Sequence, residues 1–176
     1  MAKKLFNKFC NLTNGETIVE LTQGQWCMVT TSSWEKIKHL KFFAMYSSGS
    51  KTFYPYTISS KDAIGHRTTT GMHQLIKPSN PGLVTDHING DTLDNRDENL
   101  NPNLTMTNNQ LKARKRKINN GAPTTSKYVG VYWDKNKWEC CIYINRKKIR
   151  LGRFSTQEEA YEARQKYYSH YLASSL

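Results

Sequence analysis

No run of the 176-residue chain approaches the ~18 consecutive apolar residues that a membrane-spanning helix needs, and the mean hydropathy is −0.74. Met1 to Asn11 is basic but has no apolar run of roughly 7–15 residues of the signal-peptide kind, so a protein that is not secreted is expected. Cysteine is sparse: the four residues stand at 10, 27, 140 and 141, with no C-x-x-C pair and no histidine at zinc-finger spacing. That pattern argues against a disulfide scaffold and a structural zinc site, and suits free thiols in a reducing, cytoplasmic compartment. Acidic residues are also short, 14 against 26 Lys+Arg, for a net charge of +12. Hydrophobic residues make up 37% of the chain, enough to bury a core in one or two domains, so wholesale disorder is not expected. So large a positive excess on a small protein answers a polyanion, either nucleic acid or an anionic membrane.

The charge is unevenly spread. Residues 1–70 carry 9 basic and 4 acidic side chains, and residues 128–176 carry 9 and 5. Between them, residues 71–111 reverse the sign with 2 basic (Lys77, Arg96) against 5 acidic (Asp86, Asp91, Asp94, Asp97, Glu98). The run Lys112-Ala113-Arg114-Lys115-Arg116-Lys117 follows. A carboxylate-rich island flanked by basic segments suits a metal cation held against a bound polyphosphate; a solvated polar loop is the alternative that charge leaves open.

Residues 1–71 read as a β-rich N-terminal region. Thr17–Leu21, Gln25–Thr30 and Phe53–Ile58 have strand composition, and an amphipathic helix is expected over Ser33–Phe43, with Trp34 and Ile37 on its apolar face. Residues 119–126, ending Gly-Ala-Pro-Thr-Thr-Ser, read as a linker. Beyond it, three strands are expected at Tyr128–Trp133, Lys137–Ile144 and Lys147–Phe154, turning at Asp134–Asn136 and Asn145–Arg146. A helix follows, opened by Ser155 and Thr156, each three residues ahead of a Glu at capping-box spacing. Its stripe Ala160, Ala163, Tyr167 and Tyr171 suits one face of the sheet, leaving Tyr132, Lys137, Tyr143, Lys148 and Arg150 on the other.

The acidic island holds the chemistry. In Leu83-Val84-Thr85-Asp86-His87-Ile88-Asn89-Gly90-Asp91, a short apolar strand ends at an adjacent carboxylate and imidazole just before an Asn-Gly turn. A carboxylate is a hard oxygen ligand suited to Mg²⁺, and a neutral imidazole takes a proton from water near neutral pH. Twelve residues after His87 comes Asn99-Leu100, and Leu104-Thr105 then opens what reads as a helix running to Lys117.

The series Asp86-His87-x-x-Gly90-Asp91, Asp94-Asn95, Asn99-Leu100 and Thr105-x-x-x-Asn109 resembles the ββα-metal motif of HNH endonucleases. It is most similar to the phage and intron-encoded homing enzymes with Asn in the third position. The segment from Ser126 to Tyr171 resembles the DNA-binding domain of plant ethylene-response factors, through Gly130-Val131, Lys137-Trp138, Leu151-Gly152-x-Phe154 and Glu158-Glu159-Ala160. The resemblance implies that His87 is the general base, that Asn99 staples the loop, and that Asp86 and Asn109 hold Mg²⁺ or a similar cation such as Mn²⁺. Asn101-Pro102-Asn103 has one residue more than the family pattern, so Asn108 is the alternative to Asn109. Gln74 stands where related enzymes commonly carry Arg, and His73 is either a packed histidine or an accessory of the site.

The expected protein is therefore α+β: a ββα-metal core over 72–118 and, over 127–176, a three-stranded antiparallel sheet packed on one helix. Its expected activity is metal-dependent hydrolysis of double-stranded DNA by a monomer that nicks one strand, in a bacterial or phage-infected cell. Phosphate tracking falls to Lys112, Arg114, Lys115, Arg116 and Lys117, and DNA reading to the outward sheet face. The alternative is a sequence-specific DNA-binding protein without nuclease activity.

Overall fold

The computed structural model describes residues 6–62, 64–105, 126, 128, 130–144 and 147–173, apart from the side chains of 143, 144, 147 and 171–173. The architecture is mixed α+β, dominated by strands, with three helices among the described residues. In chain order the elements begin β1 (Phe9–Asn11), β2 (Glu16–Glu20), β3 (Trp26–Thr30), α1 (Thr31–Ile37), β4 (Phe42–Ser47) and β5 (Thr52–Ile58). They continue with β6 (Thr69–Gly71), α2 (Met72–Ile76), β7 (Val84–His87), β8 (Asp94–Asn95), a 3-10 turn (Asp97–Asn99) and β9 (Leu100–Leu104). The last four are β10 (Val131–Asp134), β11 (Lys137–Ile144), β12 (Lys147–Phe154) and α3 (Gln157–Ala173). No described helix is long and apolar enough to cross a membrane.

The first sheet has the order β1-β2-β3-β8. Its last pairing is parallel, Met28 with Asp94 and Val29 with Asn95, so the loop after His87 is stitched into the edge of the N-terminal sheet. The second sheet runs β4-β5-β6, and α1 and α2 close the core formed by Val19, Cys27, Val29, Trp34, Phe42, Met72 and Leu93.

Two local expectations change here. The helix predicted over Ser33–Phe43 stops at Ile37, and Phe42–Ser47 is a strand. Phe42 is wholly buried beneath Trp34 from the strand, so an apolar residue at helical spacing reaches the same core by another backbone path. Two hydroxyls beside the start of α1 reach across the fold: Ser33 Oγ donates to Asp97 Oδ2 (2.7 Å), and Thr30 Oγ1 accepts from Asp97 N (3.0 Å). They fasten the 3-10 turn to α1.

The C-terminal unit is an antiparallel sheet, β10-β11-β12, backed by α3. Thr156 Oγ1 accepts from Glu159 N, while Glu159 Oε2 accepts from the backbone N–H of Ser155 and Thr156, so the capping box forms. The buried residues of α3 are Ala160, Arg164 and Tyr168, whereas Ala163 and Tyr167 of the expected stripe are half-buried and the side chain of Tyr171 lies outside those described. The helix also leans on the first sheet, where Tyr168 and Ile142 pack with Ile18 and Met28. A charged residue in the buried row is what an apolar pattern search passes over.

Candidate active site and nucleic-acid interface

β7 and β9 pair antiparallel, with Asp86 opposite Asn101 and His87 opposite Leu100. Between Val84 and Asp86 the register slips by one, because Leu104 pairs with Val84 and β9 carries one more residue than β7 there, as a bulge. Asn103 sits there at φ 65°, its Oδ1 accepting from Asn80 N at 2.9 Å. The chain after β7 reverses at once: Gly90 at φ 77° donates its N–H to His87 O (3.0 Å), a left-handed conformation that favours glycine.

Asn99 closes the loop. Its Oδ1 accepts from Asn89 N (2.9 Å), its Nδ2 donates to Asp94 O (2.7 Å), and its own carbonyl accepts from Ile88 N (2.8 Å). Asn89 and Asp91 add turns of their own: Asn89 Oδ1 accepts from Asp91 N at 2.8 Å, and Asp91 Oδ1 from Leu93 N at 3.0 Å.

The acidic island is neither a bare metal cage nor a solvated loop. Asp94 and Asp91 are buried and paired with arginine. Arg96 meets Asp94 at 2.7 Å and Glu16 at 2.6 Å, and Arg164 reaches Asp91 at 2.7 Å from α3. Burial pushes the Asp94 carboxyl up despite the Arg96 pair, whereas Asp94 and Glu16 raise the Arg96 guanidinium against its own desolvation.

His87 is almost fully buried. Nε2 lies 3.4 Å from Asn95 Oδ1, an acceptor, and that selects the tautomer protonated at Nε2, with the lone pair on Nδ1. Burial lowers the imidazole pKa in spite of Asn95, Asp91, Asp94 and Asp86, so the ring is neutral at neutral pH. The His73 and Tyr54 rings stand 5.2 and 6.1 Å away. His73 is buried in the first turn of α2, and Nδ1 has no hydrogen-bond partner. Burial and the neighbouring His87 bring its pKa down to about 4. A Cβ on Gly71 would collide with the His73 ring. Gln74, in the place of an expected Arg, uses Oε1 to accept from Gly71 N (2.9 Å) and so caps α2. Asp86 is half-buried in β7. Among the described residues no three His, Cys, Asp or Glu side chains cluster as a metal cage. Asn109, the second expected ligand, and its alternative Asn108 lie outside the described residues, as do Lys112, Arg114, Lys115, Arg116 and Lys117.

On the outward sheet face, three of the side chains predicted to read DNA, Tyr132, Lys148 and Arg150, converge on one buried carboxylate. Glu139 accepts from the Tyr132 hydroxyl and from Cys141 Sγ (3.2 Å), with Lys148 Nζ at 3.3 Å and Arg150 Nε at 2.8 Å. Burial alone would raise its pKa, but hydrogen bonds from Tyr132, Cys141 and Lys148 hold it at about 2. Lys148 also lies over the Tyr132 ring, 4.5 Å from its centroid. Lys137 Nζ reaches Ser155 Oγ (3.3 Å), and Tyr143 pairs with Lys148 across β11 and β12. Sequence reasoning missed Glu139 as their hub and Arg164 as the partner of Asp91. The isolated Arg in an otherwise apolar helix row was the available signal.

No family model matches the chain, and no solved structure matches it. The chain is similar to an ethylene-responsive transcription factor-like protein of Arabidopsis thaliana, 32% identical over 63 residues. The match takes in 36% of this chain and 27% of that protein's length.

Proposed function

We propose that the protein is a metal-dependent DNA endonuclease of the HNH type that nicks one strand. The observation that carries the reading is His87: a neutral, buried imidazole, its tautomer set by Asn95, ending a strand beside Asp86 in a loop closed by the Asn99 side chain. The donor chemistry suits a hard cation, since Asp86 places a half-buried carboxylate on β7 directly before His87. Asp86 and Asn109 would hold Mg²⁺ or Mn²⁺, which when bound neutralises charge developing at the scissile phosphate and the leaving oxygen. The β9 bulge absorbs the additional residue before Leu104 regains its register, and this supports counting from Thr105 to Asn109 rather than Asn108.

In the reaction, His87 Nδ1 accepts a proton from the attacking water while Asn95 keeps the opposite ring nitrogen protonated. Asn99 fixes the loop so that the imidazole does not swing. The family resemblance implies 5′-phosphate and 3′-hydroxyl ends. Lys112, Arg114, Lys115, Arg116 and Lys117 track phosphates, and Tyr132, Lys137, Tyr143, Lys148 and Arg150 face the duplex from the C-terminal sheet. With one Asp-His pair per chain, a monomer cuts one strand.

A second reading, a DNA-binding protein without cleavage, draws on the likeness to a transcription factor-like protein. Supercoiled plasmid separates the two. With Mg²⁺ the nuclease converts it to the open-circular form, EDTA stops the conversion, and His87→Ala lowers the rate by at least ~100-fold with DNA affinity kept. Binding with no nicking in Mg²⁺ or Mn²⁺ selects the second reading.

A further inference from the structure

The buried pair between Arg164 and Asp91 joins segments 73 residues apart, the C-terminal helix and the loop that follows His87. Arg164 is 3% exposed in its side chain and Asp91 10%, at 2.7 Å. The same guanidinium donates from Nη1 to Cys141 O (3.3 Å) and packs over Tyr168, 5.3 Å from the ring centroid. Gly130, at φ 72°, makes room for it, because a Cβ there would collide with Arg164 Nη1. Gly130 O in turn accepts from Cys141 N (3.0 Å), so β11, the residue before β10 and α3 together aim this one side chain.

From Asp91 the hydrogen bonds run on towards the histidine. Asp91 holds Leu93 N through Oδ1 and donates its own N–H to Asn89, and Asn89 is held by Asn99 and donates to Asp94 Oδ2 (2.8 Å). Asp94 pairs along β3 next to Asn95, the partner of His87. We infer that Arg164 is a positioning residue: through Asp91 it clamps the loop over 88–99, so that the C-terminal unit sets the placement of His87 instead of hanging beside it on a tether. The consequence for cleavage rests on the nuclease reading above; the clamp itself stands on the ion pair and the turns it anchors.

Hydrogen exchange in the full chain tests the clamp, with β4 and β5 as internal reference. In Arg164→Gln, amides over 88–95 should exchange at least tenfold faster than in the wild type, with those of 42–47 and 52–58 unchanged. Arg164→Lys keeps the charge but not the fork that spans Asp91 and Cys141 O, and should lie between; it replaces Arg164→Gln if that variant fails to fold. Unchanged loop exchange overturns the inference, and so does equal acceleration in β4 and β5, which would mark Arg164 as a merely global support. On saturating plasmid with Mg²⁺, Arg164→Gln should nick at least tenfold more slowly with DNA Kd within twofold of wild type. Wild-type nicking in a variant whose loop has loosened overturns the positioning role. A wild type that does not nick sinks the nuclease reading instead, and loop exchange still decides the clamp.

Discussion

Arginine meets carboxylate in two regions of this molecule, and the two regions hide different partners. Around the loop after His87 both members are buried, as in Arg96 with Glu16 and Asp94. On the C-terminal sheet only the acid is buried: Glu139 is 1% exposed, whereas its partners Lys148 and Arg150 are 43% and 61% exposed. A pair buried at both ends cannot exchange partners without carrying a charge through the protein interior, so it serves as a staple. Glu139 has two exposed cations and the Tyr132 hydroxyl, so one cation can turn outward to a phosphate while the buried acid keeps its other partners. Similar chemistry is therefore fixed in one place and available in the other.

The comparison breaks first at Arg96. Arg96→Met leaves Asp94 and Glu16 buried without their cation, and a loss of about 3–5 kcal/mol is expected in urea unfolding. A loss under ~1 kcal/mol would place this pair with the exposed ones. Next comes the loop's neighbour His73, whose pKa is about 4 in the fold against 6.5 for the free side chain. The unfolded chain binds the additional proton between those values, so stability rises with pH across the window and is lost as pH falls towards 4. The expected loss is about 3 kcal/mol. His73→Gln should remove that part of the difference between urea midpoints at pH 7 and pH 4.5, leaving what the carboxylates contribute; an unaltered difference would mean that His73 is charged in the fold. The smallest effect on stability belongs to the exposed cations. Lys148→Ala or Arg150→Ala should change stability by less than ~1 kcal/mol. Each should nonetheless weaken DNA binding and lower the slope of log affinity against log salt by about one. An unchanged slope would leave that residue off the duplex.

The elements that the sequence made legible are those whose signal is local. Thr17–Leu21, Gln25–Thr30 and the three C-terminal strands announce themselves by apolar, β-branched and aromatic runs between turn residues, and Thr156 with Glu159 marks its helix start. Asp86, His87 and Asn99 stood out for the same reason, being close in sequence within a strand and its turn. Phe42 and Phe43 were read as a helix end because Phe42 lies at helical spacing from Trp34, and one buried aromatic does not say which backbone delivers it. The arginine staples were hidden by distance: Glu16 and Arg96 are 80 residues apart, and neither residue type is expected in a core. The island of carboxylates suggested an ion from solution, whereas Asp94 takes its cation from Arg96 within the island and Asp91 from Arg164 of α3.

The separation between Asp91 and Arg164 also sets an order of events. A chain made from its N-terminus extends by about 5–20 residues per second, so the 73 residues between them take roughly 4–15 s to synthesise. Once Leu104 has been made, the first sheet, the β7–β9 hairpin and the Asn99 staple have all their own parts, but Asp91 still has no guanidinium to meet. The nascent loop folds early and is locked late.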